Sequence, residues 1–243
     1  MSHFYKQLAI SLLGRRAAYR IGRALYQRAR GDVTNDMMSN GELLVQRCVV
    51  EAWLGGGTRE NHLVMFDVGA NRGDWSAALL KLLADVQVDG SVDLYLFEPV
   101  PATSDMLKNR LGHRNPRLHY EEVALSSEDG DGAIYVRGGD AGTSSLHAEC
   151  RGDDKNLVSV SKLTTTSFCQ AAKIPHVHLL KCDTEGHDME VILGALPLLA
   201  DGKIAVLQFE YNHRWIYARH FLRDAFTVVE KLPYTLIKLQ ADH

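Results

Sequence analysis

Three short runs of this sequence hold residue types that can bind a small molecule and move a proton. The first is Asp67-Val68-Gly69-Ala70-Asn71-Arg72-Gly73, a D-x-G-x-N-x-G loop. It lies where an apolar run rich in strand formers (63–69) gives way to a helical pattern (74–84). Glycines at such a turn let backbone approach a ligand closely, and the free N–H groups of the next helix favour an anion. The second is Glu98, ending the next strand-like run, 92–98. The third is a set placed just after later strand-like runs: Asp183, Glu185 and His187, then Glu210, Asn212 and His213.

The loop departs from two common nucleotide patterns. G-x-G-x-x-G would need glycine at 69, 71 and 74, where the chain has Gly69, Asn71 and Asp74, and no G-K-S/T is present. An acid ahead of the first glycine suits a ligand that brings a cation there. The amino-acid end of S-adenosylmethionine is such a ligand: its carboxylate can use the helix amides, and its ammonium and sulfonium centres favour an acid such as Asp67. A right-handed crossover sets the strand ending in Glu98 beside the first, where a carboxylate can accept both ribose hydroxyls.

The elements holding these residues follow from pattern. Beyond a helix at 103–111, behind Pro101, the periodicity predicts a strand over 117–125. Short strands at 133–137 and 157–163 flank a polar loop whose hydroxyls, in Gly142-Thr143-Ser144-Ser145-Leu146, could meet a ligand. Then come a helix at 164–172, a strand at 177–183, a helix at 187–199 and a strand at 204–211. A helix at 219–232 and a strand at 234–239 close the series. Asp183 is a candidate cap for the helix beginning near Gly186. Strands alternating with helices predict an α/β, Rossmann-like fold, a mostly parallel sheet with helices on both faces. In such sheets ligands bind outside the carboxyl ends of the strands, which is where the three runs fall.

Length and composition bound the rest. A chain of 243 residues with 46% hydrophobic and 23% charged residues can bury a large core without disulfides or a structural metal. A net charge of −3 makes nucleic acid an unexpected partner. Cys48, Cys150, Cys169 and Cys182 show no C-x-x-C spacing, which reads as reduced cytosolic thiols. No run of 18 apolar residues exists, so the expected place is the cytoplasm.

Residues 1–30 differ from the remainder: they hold Lys6, Arg15, Arg16, Arg20, Arg23, Arg28 and Arg30 and no acid. Ile10, Leu13, Ala17, Ile21 and Leu25 recur at helical spacing, giving a basic amphipathic extension over 1–38 ahead of a domain over 39–243. Three readings stand: a helix packed on the domain, a peripheral contact with membrane headgroups or an anionic glycolipid, or a transit peptide. Ser39-Asn40-Gly41-Glu42 reads as a capping box, with Ser39 accepting from the amide three residues on.

Residues 66–73, the run Leu96-Phe97-Glu98-Pro99-Val100-Pro101, and Leu179-Leu180-Lys181-Cys182-Asp183-Thr184-Glu185-Gly186-His187-Asp188-Met189-Glu190 resemble three blocks of the FkbM family of S-adenosylmethionine-dependent methyltransferases. The last is similar to that family's L-K-x-D-x-E-G-x-E signature, with Asp188 standing where a longer acid is usual. The resemblance runs over about residues 60–212 and implies a class I methyltransferase fold. It implies O-methylation, mostly of hydroxyls on sugars (glycan, glycolipid or lipo-oligosaccharide, a fucose included) or on polyketide-like natural products. The terminal strand pair usual in that fold is expected to be short or absent, since the chain ends soon after 234–239.

The expected cofactor contacts are Asp67, Gly69, Ala70, Asn71, Gly73, Glu98, Pro99 and Asp183, with Glu122 and Ala124 at the adenine by analogy with the fold. Asp183, Glu185, His187, Glu210 and His213 are the candidates for proton transfer. Trp215 and Tyr217 could stack on a sugar or pack in the core. No metal is expected; Asp183, Glu210 and His213 are the set that would hold a divalent cation if one were used. Two rival functions are a nicotinamide-dependent oxidoreductase, which the failed glycine pattern disfavours, and a non-catalytic module that binds the cofactor alone.

Overall fold

The computed structural model of the chain describes residues 3–29, 37–56, 62–88, 91–112, 117–136 and 157–239. The loop containing residues 142–146, and Cys150, lie outside them. The chain divides into two compact units, Met1–Val45 with Ile237–His243, and Gln46–Leu236.

In the first unit, α1 (His3–Ala29) is interrupted at Gly14, whose φ of 73° and ψ of 156° are not helical. One continuous amphipathic helix was the expectation; a glycine without a Cβ penalty at positive φ lets it divide instead. Leu13, Ile21 and Leu25 are exposed. Asn40 caps α2 (Glu42–Gly55): its Oδ1 accepts from the Glu42 amide at 3.0 Å, and its amide donates to the Glu42 carboxylate. The turn through Gly41, φ 91°, brings the side chain two residues back into range.

The second unit is built on a five-stranded parallel sheet in the order β3-β2-β1-β7-β8. These strands are β1 (Leu63–Val68), β2 (Val92–Phe97), β3 (Arg117–Glu121), β7 (Val177–Cys182) and β8 (Ile204–Phe209). A smaller sheet, β4-β6-β5, is formed by β4 (Ala124–Leu125), β5 (Gly130–Tyr135) and β6 (Leu157–Leu163). The expected single strand over 117–125 is therefore two. The Glu98 amide takes the Glu121 carbonyl at 3.0 Å, then the chain leaves the main sheet and pairs with β6.

Register explains which side chains face which layer. Asp67, Lys181 and Gln208 lie opposite one another on β1, β7 and β8, so their side chains share one face. Ser76 of α3 (Asp74–Asp85) bonds to Asp67 there, and Gly73 packs on Leu107 and Leu111 of α4 (Pro101–Leu111). On the other face, Phe66, Val68, Phe97 and Leu180 build the main core. It is completed by Phe168 of α5 (Thr165–Ala171), Met189 and Ile192 of α6 (Asp188–Gly194), Leu199 of α7 (Leu196–Ala200), Trp215, and Ala225 of α8 (Leu222–Val229). Phe97 and Phe168 meet edge to face at 4.8 Å.

The helix expected over 187–199 divides at Ala195, because Pro197 in the first turn of α7 has no N–H to carry the ladder on. Thr164 caps α5 through the Ser167 amide. The expected strand at 234–239 is not formed; the Tyr234 hydroxyl instead donates to the Ile204 carbonyl at the start of β8. Among the described residues no helix is long and apolar enough to cross a membrane.

Candidate active site at the strand ends

The sheet order reverses between β1 and β7, and the loops after β1, β2, β7 and β8 open at that switch point. The β1 loop is fixed by backbone. Gly69 and Ala70 both donate to the Phe97 carbonyl at 3.0 Å, and the Asp183 amide donates to Val68 at the same distance. Gly69 has φ 78°, and a Cβ there would lie 2.0 Å from the Asp183 carbonyl oxygen. Only glycine lets β7 close on the loop. Asn71 follows at φ 48°, and α3 starts behind Gly73 with no side-chain cap.

Glu98 clamps that loop. One carboxylate oxygen accepts from the Asn71 amide at 3.1 Å and the other from Val100 at 3.0 Å. Burial pushes its carboxyl up to about 7, and the charge of Asp67 adds to that, while the two amides oppose it. Two polar atoms beside the loop are buried without a partner: Asn71 Oδ1 and Trp75 Nε1. An acceptor and a donor left open on either side of Gly73, with a half-satisfied carboxylate at β2, fit a zwitterionic ligand that also offers hydroxyls. Trp75 was not singled out from the sequence; an aromatic in the first turn of the helix behind the loop was the only available signal.

Asp67 departs from expectation. It is fully buried, and both its oxygens serve protein groups, Ser76 Oγ at 2.6 Å and Lys181 Nζ at 3.1 Å. It positions Lys181 instead of facing a ligand's cation. Lys181, 4% exposed, lies 3.7 Å from Asp183 and under the Trp75 ring, its centroid 5.9 Å away. A buried ammonium so placed needs both carboxylates.

The acids after β7 and β8 converge. Single oxygens of Asp183, Glu185 and Glu210 all lie within 4.8 Å of one another. The turn that brings Glu185 in has φ 56° at Glu185 and 102° at Gly186, where a Cβ would press on Arg214 backbone at 2.9 Å. Asp188, not Asp183, closes this turn, accepting from the Thr184 and Gly186 amides. Each acid has a counterpart: Lys181 beside Asp183, Arg214 paired with Glu185, and Asn212 donating to Glu210 at 2.6 Å. Burial first, then the charge of Asp183, pushes Glu210 up to about 7. Lys181 is shared between Asp67 and Asp183, and the three converging oxygens could hold a divalent cation.

The other candidates lie apart from the acids. His187 is buried with Nε2 on Ser126 Oγ at 3.1 Å, and His213 is exposed in the 3-10 turn His213–Ile216; among the described residues neither belongs to the acid group. Glu122 is exposed, held by Lys108 and Ser104 of α4, its charge favoured chiefly by the Lys108 bond. Ala124 is buried in the small core with Val100 and Ile134, and Pro99 is half-buried behind Glu98. Trp215 is fully buried and donates to the Glu210 carbonyl at 2.9 Å, so it packs instead of stacking on a ligand; Tyr211 is the exposed ring next to Glu210.

No curated protein and no solved structure matches the chain. A family model described as the methyltransferase FkbM domain matches residues 67–234, from the glycine loop through the acid cluster. The chain therefore belongs to the FkbM methyltransferase family.

Proposed function

We infer that the chain transfers a methyl group from S-adenosylmethionine to a hydroxyl of a sugar in a glycan, glycolipid or lipo-oligosaccharide. One observation carries this reading: Glu210, whose carboxyl burial pushes up to about 7, has an oxygen within 4.8 Å of Asp183, the residue whose backbone closes on the glycine loop. Asn71, Trp75 and the uncapped α3 amides would hold the amino-acid end of the cofactor, and Glu98 the ribose hydroxyls. When bound, that cofactor supplies an electrophilic methyl on a sulfonium. Ionised Glu210 accepts the acceptor hydroxyl's proton, on the order of 10²–10⁴ in rate. Asp183, beside the Lys181 ammonium, orients that hydroxyl. A polar floor of acids with exposed Tyr211 at its side suits a sugar, whose hydroxyls take carboxylates and whose ring face takes an aromatic.

The test is a transfer screen with methyl-labelled cofactor against glycans, glycolipids and hydroxylated natural products, followed by mass-spectrometric localisation. Label on a sugar oxygen that disappears in Glu210→Gln is expected. Label confined to nitrogen or carbon acceptors, or cofactor binding without transfer to any acceptor, would overturn the reading.

A further inference from the structure

We propose that the segment of α1 beyond Gly14 is an interfacial helix that lies on the surface of an anionic phospholipid bilayer. Residues 15–29 span about 22 Å at helical rise. Arg16, Arg20 and Arg23, spaced by four and three residues, share one face, and with Tyr19 and Ala24 they line a shallow recess. Ala17, Ile21 and Leu25 share the opposite face, and Ile21 and Leu25 are exposed at 47% and 66%. Tyr19 and Tyr26, also exposed, lie on the arginine-bearing side of that apolar face. The break at Gly14 lets this segment take its own direction from the segment before it.

Charge complementarity selects the occupant. Seven basic residues without an acid in residues 1–30 match an anionic surface. Exposed Ile21 and Leu25 beside them match the acyl boundary under the headgroups, and aromatic rings with one apolar and one wet side belong at that level. A nucleic acid would use the arginines and leave the apolar face in water. Among the described residues no helix is both long and apolar enough to cross a membrane, and about 22 Å with three arginines on one face suits lying on the bilayer. This inference does not depend on methyl transfer.

The test is flotation of the full chain at 0.15 M salt with vesicles of 30% phosphatidylglycerol in phosphatidylcholine, compared with phosphatidylcholine alone. Binding to the anionic vesicles at least about tenfold tighter is expected, falling steeply with salt. Arg16→Gln/Arg20→Gln/Arg23→Gln and, separately, Ile21→Ser/Leu25→Ser should each lower it by about tenfold or more. Arg16→Lys/Arg20→Lys/Arg23→Lys should keep it, which separates charge from a folding defect. No flotation of the unaltered chain, or full binding by either loss variant, would overturn the proposal. Salt-sensitive binding to a duplex oligonucleotide that survives Ile21→Ser/Leu25→Ser would reassign the face to nucleic acid.

Discussion

The two sides of the switch point are built in different ways. On the β1–β2 side the geometry is made of backbone: Gly69 and Ala70 bond to Phe97, and Glu98 holds Asn71 and Val100. On the β7–β8 side it is made of side chains that reach toward one point from Asp183, Glu185 and Glu210, with Arg214 paired to Glu185 and Lys181 shared between Asp183 and Asp67. A backbone cradle tolerates little change in shape. A side-chain cluster tolerates changes in shape but is set by charge, because each acid's ionisation depends on its neighbours. The first half suits a ligand of fixed form and the second a reaction that moves a proton.

The sharpest way to break that contrast is where the halves touch. Gly69→Ala would place a Cβ on the Asp183 carbonyl at positive φ, forcing β1 and β7 apart. The expected loss is about 3–5 kcal/mol in urea unfolding, together with cofactor binding. A variant within about 1 kcal/mol of the parent would show that the close approach is dispensable. Next in size is Glu210→Gln, expected to lower kcat by roughly 10²–10⁴ while leaving cofactor affinity nearly unchanged. The pH profile should agree in sign. A carboxyl at about 7 is protonated below that pH and cannot accept a proton, so kcat should rise as pH passes through about 7 and level off above it. A flat profile from pH 6 to 8 would remove Glu210 from the proton transfer.

The same contrast explains how far the sequence could be read. The backbone-built half is encoded locally: Gly69, Asn71 and Gly73 sit in one loop, and Glu98 directly follows the next strand, so spacing set both at neighbouring strand ends. The fold was legible for the same reason, since alternation of strand and helix follows from periodicity. The acid cluster was legible only as a class of strand-end residues. Its members are brought together by one turn with positive φ at both Glu185 and Gly186 and by Arg214 packing on Gly186, which no spacing reports. His187 shows the limit: it stands two residues from Glu185, yet its ring turns to Ser126 just after β4, far off in sequence. Asp67 shows another, since the partner that occupies it, Lys181, comes from a strand joined only by register.

Smaller effects sharpen the binding half. Glu98→Ala should weaken the cofactor by roughly ten- to hundredfold, the value of hydrogen bonds to a charged group, with less change in kcat at saturation. Hydroxyl donors favour the ionised carboxylate, so binding should lower the Glu98 value from about 7 and release a fraction of a proton near pH 6.5. Calorimetry in buffers of different ionisation enthalpy reads this directly. Affinity should fall as pH drops below about 7, and proton uptake instead of release would place the hydroxyls elsewhere.

The smallest expected effect is at Glu122, which separates fold analogy from geometry. Its carboxylate is held by Lys108 and Ser104 on α4 at an exposed site, where such pairs contribute under about 1 kcal/mol. Bonding to Lys108 holds its carboxyl below the usual range, so any stabilisation is present above the unfolded value and is lost as pH falls through the folded one. Glu122→Gln should therefore change neither the urea midpoint nor cofactor affinity measurably at pH 7. A loss of affinity comparable to that of Glu98→Ala would mean that Glu122 leaves Lys108 for the adenine when the cofactor binds.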